Sequence, residues 1–187
     1  NKRQTMKKSI LLEVVVAYLI IITFPASLQA AGDVTLWQIG KVDNSYDEFA
    51  IARNCGAYLS WAQERVAFDP AKDNPSTAWP FIQPGPLDAW ANGQQHSLRI
   101  AFNLPDQPRG TCALTLDFVD THSSGPPVYE ISINGKSGRF HLPRGAGDES
   151  LTDASKGREH VLNVPFAADL LRRGANEIVL KTVEGSW

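Results

Sequence analysis

The chain has 187 residues and a formal net charge of −2, from 18 basic and 20 acidic side chains. This balance, with no cluster of basic residues along the sequence, argues against a nucleic-acid-binding protein, which needs a basic face. The length is that of one ordinary domain and suffices to bury a single core.

Residues 1–30 are predicted to be a secretory signal peptide. Met6 is the only methionine, so residues 1–5 are expected to lie upstream of the true start. Two lysines then precede an apolar run that is unbroken from 14 to 22, and small residues follow up to Ala30. This order is typical of an export signal, whereas a membrane anchor needs about 20 apolar residues. We expect cleavage near Ala30 and a secreted or periplasmic protein without membrane attachment.

The predicted mature part would be acidic. Removal of the signal peptide takes away four basic residues and one acidic residue, which leaves a net charge of −5. Such a surface suits neutral or weakly charged ligands.

Cys55 and Cys112 are the only cysteines in the chain. Exported proteins often pair their cysteines, so a disulfide between these two is one expectation. Two buried free thiols are an equally weighted alternative. A zinc site is not expected, because zinc sites recruit ligands that lie close together in sequence.

Short β-like segments recur along the chain, separated by Gly, Pro, Asn and Asp. Residues 98–102 and 114–118 alternate apolar and other side chains, which indicates strands with one buried face. Asn134-Gly135 lies between two such segments and predicts a tight hairpin turn. Residues 167–173 are expected to form one or two helical turns closed by Gly174. The predicted strands are 34–39, 48–52, 58–61, 66–69, 97–103, 111–119, 128–133, 138–142, 160–164 and 177–183.

Many strands and little helix predict an all-β fold, namely an antiparallel β-sandwich of the jelly-roll type over residues 31–187. The sequence stops at Trp187, shortly after a strand-like segment. Because an exposed sheet edge invites aggregation, one or more further strands are expected beyond this point.

The sequence holds no pattern that predicts catalysis. The four histidines show no metal-ligand spacing, and an acid, a base and hydroxyls that are neighbours at 120–124 do not by themselves form a triad. Asp43, Asp47 and Glu48 are acidic enough to suggest calcium, but their spacing matches no calcium loop, and a polar turn is favoured. No catalytic residue, metal site or cofactor is therefore predicted.

The proline-rich segment 70–95 is the best candidate for a binding site. Trp79 and Trp90 can offer aromatic faces to a sugar ring, while Asp88, Gln95 and His96 can bond its hydroxyl groups. Prolines restrict such a loop before a ligand arrives and so lower the cost of ordering it.

Core packing is the alternative for the two loop tryptophans, since aromatic side chains in proline-rich loops often anchor the loop to the domain. Trp37 and Trp61 fall in predicted strands and are expected in the core.

Several segments together resemble the β-sandwich domain of rhamnogalacturonan lyases of polysaccharide lyase family 4. They are residues 37–49, 79–90, 117–121, 131–135, 142–148 and 174–178. The resemblance implies a carbohydrate-binding-module-like jelly roll attached to a catalytic domain that cleaves pectic rhamnogalacturonan. The catalytic lysine and histidine of that family belong to the other domain, so none is carried over to this chain.

The leading hypothesis is a non-catalytic carbohydrate-binding module of an exported enzyme that degrades pectic polysaccharide. Its expected partners are the polysaccharide and a downstream catalytic domain of the same protein, either a lyase or a glycoside hydrolase. One alternative is a structural spacer that braces that domain. Another is a part of a rhamnogalacturonan lyase proper.

Overall fold

The computed structural model describes residues 14–15, 17–21, 34–62 and 67–187, and these are mostly β-strand. The strands are β1 (Val14–Val15), β2 (Ala17–Ile21), β3 (Trp37–Ile39), β4 (His96–Leu104), β5 (Thr111–Phe118), β6 (Val128–Ile133), β7 (Lys136–His141), β8 (His160–Ala167) and β9 (Gly174–Glu184). The helices are α1 (Tyr58–Ala62), α2 (Pro75–Ala78) and the 3₁₀ helices Cys55–Ala57, Ala89–Ala91, Asp148–Leu151, Ala154–Lys156 and Ala168–Leu170.

The strands form two sheets. One has the order β1-β5-β2-β3, with β8 also paired to β5, and it is antiparallel except between β1 and β5. The other has the order β4-β9-β6-β7 and is antiparallel throughout. The predicted all-β antiparallel sandwich is confirmed.

The predicted signal peptide, residues 1–30, lies outside the described residues apart from the backbone of β1 and β2, and cleavage near Ala30 would remove these two strands from their sheet. Its cleavage stays a prediction. Within the described part of the chain, no helix has both the length and the apolar character needed to cross a membrane.

The core lies between the facing sides of the sheets. Along β4, the side chains of Leu98 and Ile100 are buried, whereas those of Arg99 and Asn103 on the opposite face are exposed. Leu114 on β5, which belongs to the other sheet, is fully buried. The alternation seen in the sequence therefore marks the inner and outer faces of β4.

Three predicted strands are wrong. Residues 58–61 lie in helix α1, while residues 48–52 are mainly a turn in which Ala50 makes a single bridge to Pro80. Ile51 has a φ of 56°, which a β-strand cannot accommodate. Of the described residues 67–69, Phe68 alone forms a bridge, to Ile100, while Val66 lies outside the described part of the chain. Their aromatic and β-branched content gave a strand signal that tertiary packing overrides.

The hairpin at Asn134-Gly135 is confirmed, with φ angles of 48° and 85°. The Asn134 side chain also fastens this turn to the rest of the sheet. Its amide nitrogen donates to the Leu170 carbonyl at 2.7 Å and to Asn176 Oδ1 at 2.8 Å. Its oxygen accepts the Glu177 backbone N–H at 2.9 Å. The asparagine therefore acts through its side chain as well as through its backbone angle.

The helical turn expected within residues 167–173 is present as Ala168–Leu170, but Leu171 is its C-cap. Gly174, expected to be that cap, begins β9 with a φ of 83°. The buried Asn176 side chain closes the segment between them by bonding the backbone N–H of Arg172 at 2.9 Å and its carbonyl at 2.7 Å.

Cys55 and Cys112 are both free in the structure. Cys55 is half-buried and Cys112 is completely buried on β5. Burial raises the pKa of the Cys112 thiol to about 12. Both thiols are thus free in the structure, with only Cys112 fully buried, and the disulfide stays a prediction that thiol titration tests.

Asn134→Gly should lower the free energy of unfolding by about 2 kcal/mol, because glycine keeps the positive φ but removes three hydrogen bonds. Asn92→Gly is the matched control, since Asn92 has a φ of 66° and an exposed side chain. Urea unfolding curves measure both variants. Equal losses of stability would show that the Asn134 side chain contributes nothing beyond the turn.

Thiol titration of the native protein at mildly alkaline pH should modify Cys55 and leave Cys112 unmodified, because the buried thiol does not ionise there. Under denaturing conditions without reductant, both thiols should react. A titre of zero in denaturant, restored by reductant, would instead demonstrate the disulfide.

Candidate functional site

The proline-rich segment 70–95 packs against the sandwich and is bonded to its strands. Gln83 is buried, and its side-chain amide donates to the carbonyls of His96 at 3.0 Å and Leu180 at 2.9 Å. These carbonyls belong to β4 and β9, so one amide group fixes the segment to two neighbouring strands. Phe81 and Ile82 beside it are each 3% exposed.

Trp79 lies in the core. It is 1% exposed and packs edge-to-face against Phe68, with ring centroids 5.4 Å apart. A ring without an exposed face cannot stack on a sugar in this conformation. Trp79 is therefore a core residue, which was the alternative to sugar binding.

Asp88 holds the loop together from within. Its Oδ2 accepts the Gly85 backbone N–H at 2.7 Å, and its Oδ1 accepts the Ser186 hydroxyl. The side chain is only 4% exposed, and its carboxylate holds the loop against the C-terminal end of the described chain. It does not face a ligand.

His96 is also buried, at the start of β4. Its Nε2 lies 2.8 Å from the Ala91 carbonyl, so this nitrogen carries a proton and donates it. Gln95, by contrast, is exposed, and its amide nitrogen donates to the Val183 carbonyl at 3.1 Å. Gln95 thus keeps its amide oxygen available to accept a hydrogen bond from a ligand.

An aromatic cluster lies at the start of β4, where the Tyr58 ring packs on His96 at 5.0 Å between ring centroids. The buried Tyr58 is flanked by two half-buried tryptophans, Trp61 at 5.8 Å and Trp90 at 6.4 Å between ring centroids. The Trp61 indole nitrogen donates to the Thr77 carbonyl at 3.1 Å, which fixes the ring between α1 and α2. Both rings are held in place yet retain solvent-exposed area.

Polar side chains at the start of β4 complete this surface. Gln95, Ser97 and Arg99 are exposed, and Trp61, Ser97 and Arg99 line a small cleft of about 50 Å³. Arg99 forms an exposed ion pair with Glu177. We call the set of Trp61, Trp90, Gln95, Ser97 and Arg99 the tryptophan site.

Of the five predicted binding residues, Trp90 is half-buried and Gln95 is exposed, so these two remain accessible. Trp79, Asp88 and His96 lie beneath the surface. Trp61 was expected in the core and in a strand. The sequence signal for its actual position is the i, i+3 spacing of Tyr58 and Trp61, which places both rings on one face of a helix.

His122 and its neighbours do not form a catalytic triad. Nδ1 of His122 accepts the Gly125 backbone N–H at 3.0 Å, with the Ser124 hydroxyl further away at 3.4 Å. Because the lone pair of Nδ1 is already engaged, it is a poor base toward Ser124. Nε2 lies 3.7 Å from Asp148, and the ring packs on Trp187. The histidine organises a turn.

The acidic residues Asp43, Asp47 and Glu48 bind separate partners. Glu48 accepts the Lys41 backbone N–H at 2.7 Å, and Asp47 pairs with Arg53 at 2.6 Å. Asp43 accepts the Ser45 N–H at 3.1 Å. Across residues 34–62 and 67–187, no group of three or more histidine, cysteine or acidic side chains is placed to hold a metal ion.

Comparison with known families gives one clear match. The model of the family described as "CBM-like: Polysaccharide lyase family 4, domain III" matches residues 35–187, which is most of the chain. No curated protein matches the chain.

Trp79→Ala should lower the free energy of unfolding by about 3–5 kcal/mol, the usual cost of emptying a buried aromatic site. Trp90→Ala removes a ring that is only half-buried and should cost clearly less. Thermal or urea unfolding of the two variants measures the difference. A Trp90→Ala loss as large as that of Trp79→Ala would contradict the assignment of Trp90 to the surface.

Proposed function

Because the chain belongs to the CBM-like domain III family of polysaccharide lyase family 4, we propose that it is a carbohydrate-binding accessory domain and that the tryptophan site binds the sugar. The parent protein is an exported enzyme that degrades pectic polysaccharide. Its catalytic domain is a separate part of that protein. The export signal predicted at residues 1–30 supports the proposal that the parent protein is exported.

The observation that carries the proposal is the pair of half-buried tryptophans around Tyr58. Sugar rings have faces rich in C–H groups, and the electron-rich face of an indole attracts them. Burial raises the pKa of the Tyr58 phenol well above its usual range, so this ring stays neutral between the two indoles. The aromatic surface is therefore uncharged at every physiological pH.

Polar groups next to the rings can orient a bound sugar through hydrogen bonds. Ser97 and Arg99 are exposed on the same side of β4, and Gln95, which directly precedes the strand, is exposed as well. Each can bond a sugar hydroxyl, and Arg99 stays held by Glu177. A few placed polar groups beside aromatic side chains are the usual composition of a small-ligand site.

The fixed positions of the rings favour binding as well. Trp61 is held by Thr77, and Trp90 follows directly on the segment that Gln83 and Asp88 fasten to the sandwich. A site that is ordered before the ligand arrives loses less conformational entropy on binding.

Affinity electrophoresis through gels that contain rhamnogalacturonan, galactan or arabinan tests this proposal. The protein should be retarded by at least one of them, and Trp61→Ala and Trp90→Ala should each weaken binding about tenfold, with the fold retained. Val161→Ala is the matched control, because Val161 is an exposed apolar side chain on β8 of the other sheet.

Two outcomes would contradict the proposal. Migration that none of the polysaccharides changes would favour the spacer function. Retardation that persists in both tryptophan variants would place the sugar elsewhere on the domain.

A further inference from the structure

A second groove lies along the same strand, at the far end of β4. It has a volume of about 250 Å³ and includes the indole of Trp37 and the polar side chains of Asp69, Lys72 and Asn103 in its lining. We call it the Trp37 groove. It shares no lining residue with the tryptophan site.

The indole of Trp37 has an unused hydrogen-bond donor. Its ring packs edge-on against Phe102 at 5.2 Å between centroids, which holds it in place. Its Nε1 atom is buried, and none of the described residues accepts a hydrogen bond from it. A buried donor without an acceptor costs free energy, and an oxygen atom of a ligand that reached it would recover that cost. Such a donor therefore favours an oxygen-rich ligand.

The charges of the groove disfavour an acidic ligand. The Lys72 ammonium pairs with Asp69 at 2.6 Å, and the Asp69 backbone N–H binds the Asp73 carboxylate at 2.7 Å. Among the described residues that line the groove, the one ammonium is thus already paired with the one carboxylate, so a sugar carboxylate would find no unpaired cation there. A neutral sugar needs no such cation, and its hydroxyls can bond the exposed Asn103 amide and the remaining N–H groups of Lys72.

The two sites lie on the same edge of β4. Phe68 separates them, with its N–H donating to the Arg99 carbonyl and its carbonyl accepting from Ala101, both at 2.8 Å. Ser97 of the first site and Asn103 of the second both point outward, six residues apart on one strand. At a rise of ~3.4 Å per residue, this separation is ~20 Å, which suits one extended oligosaccharide.

We propose that the Trp37 groove is a second subsite, which binds a neutral sugar of the same polysaccharide chain that contacts the tryptophan site. This rests on the proposed carbohydrate binding. A long neutral oligosaccharide occupies both sites, while a short one occupies the tryptophan site alone.

Titration calorimetry with β-1,4-galactan oligosaccharides of two lengths, a disaccharide and a hexasaccharide, tests the proposal. Asn103→Ala and Lys72→Ala change exposed side chains, and Trp37→Phe keeps an aromatic ring against Phe102 while it removes the N–H. Each variant should bind the hexasaccharide about threefold to tenfold more weakly and the disaccharide as the wild type does. Lys136→Ala, on the exposed strand β7, is the control and should change neither affinity.

The outcomes separate this inference from the proposed function. If the wild type binds the hexasaccharide and all three groove variants match it, the second subsite is wrong and the tryptophan site stands. Tighter binding of oligogalacturonate than of neutral galactan would also overturn the subsite as described. If the wild type binds neither class of oligosaccharide, the proposed function fails and the subsite with it.

Discussion

The placement of Trp79, Asp88 and Trp90 depends on how segment 70–95 is bonded to the sandwich. The buried amide of Gln83 bonds carbonyls of β4 and β9, and the buried carboxylate of Asp88 bonds Gly85 and Ser186. Polar groups this deeply buried are costly unless they are hydrogen-bonded, so displacing the segment would leave several of them without partners. The segment is consequently an ordered part of the domain, packed on the sandwich, rather than a flexible loop.

The fixed position of segment 70–95 leaves the tryptophans in different environments. Trp79 points inward and packs with Phe68, whereas Trp61 and Trp90 lie at the surface on either side of Tyr58. The rings that remain accessible are thus positioned by core contacts and by backbone hydrogen bonds. An accessory domain of a polysaccharide-degrading enzyme gains from such a surface, because it needs no reordering when it meets a polymer.

The sequence predicted those features that local chemistry determines. The alternation along 98–102 gave the two faces of β4, and Asn134-Gly135 gave the hairpin, because burial period and positive φ are properties of a few neighbouring residues. The three-way bonding of the Asn134 side chain was out of reach, since its partners lie 36 to 43 residues further along the chain.

The candidate site was predicted only in part for the same reason. Composition singled out segment 70–95, which contains Trp79 and Trp90, but it could not show which ring would be covered. Trp79 is buried because residue 68 returns to the β4 edge, and Trp61 stays half-buried because residues 58–62 form a helix that resembled a strand in sequence. Both outcomes depend on contacts between distant parts of the chain. Aromatic content alone does not distinguish them.

The most direct test of the central claim is a titration followed by the indole N–H signals in a two-dimensional ¹⁵N NMR spectrum. The chain has five tryptophans, each of which gives one such signal. On addition of galactan oligosaccharide, the signals of Trp61 and Trp90 should shift with increasing ligand, while those of Trp79 and Trp187 stay in place. Shifts confined to the buried indoles, or no shift at Trp61 and Trp90 under conditions where the sugar binds, would contradict the account.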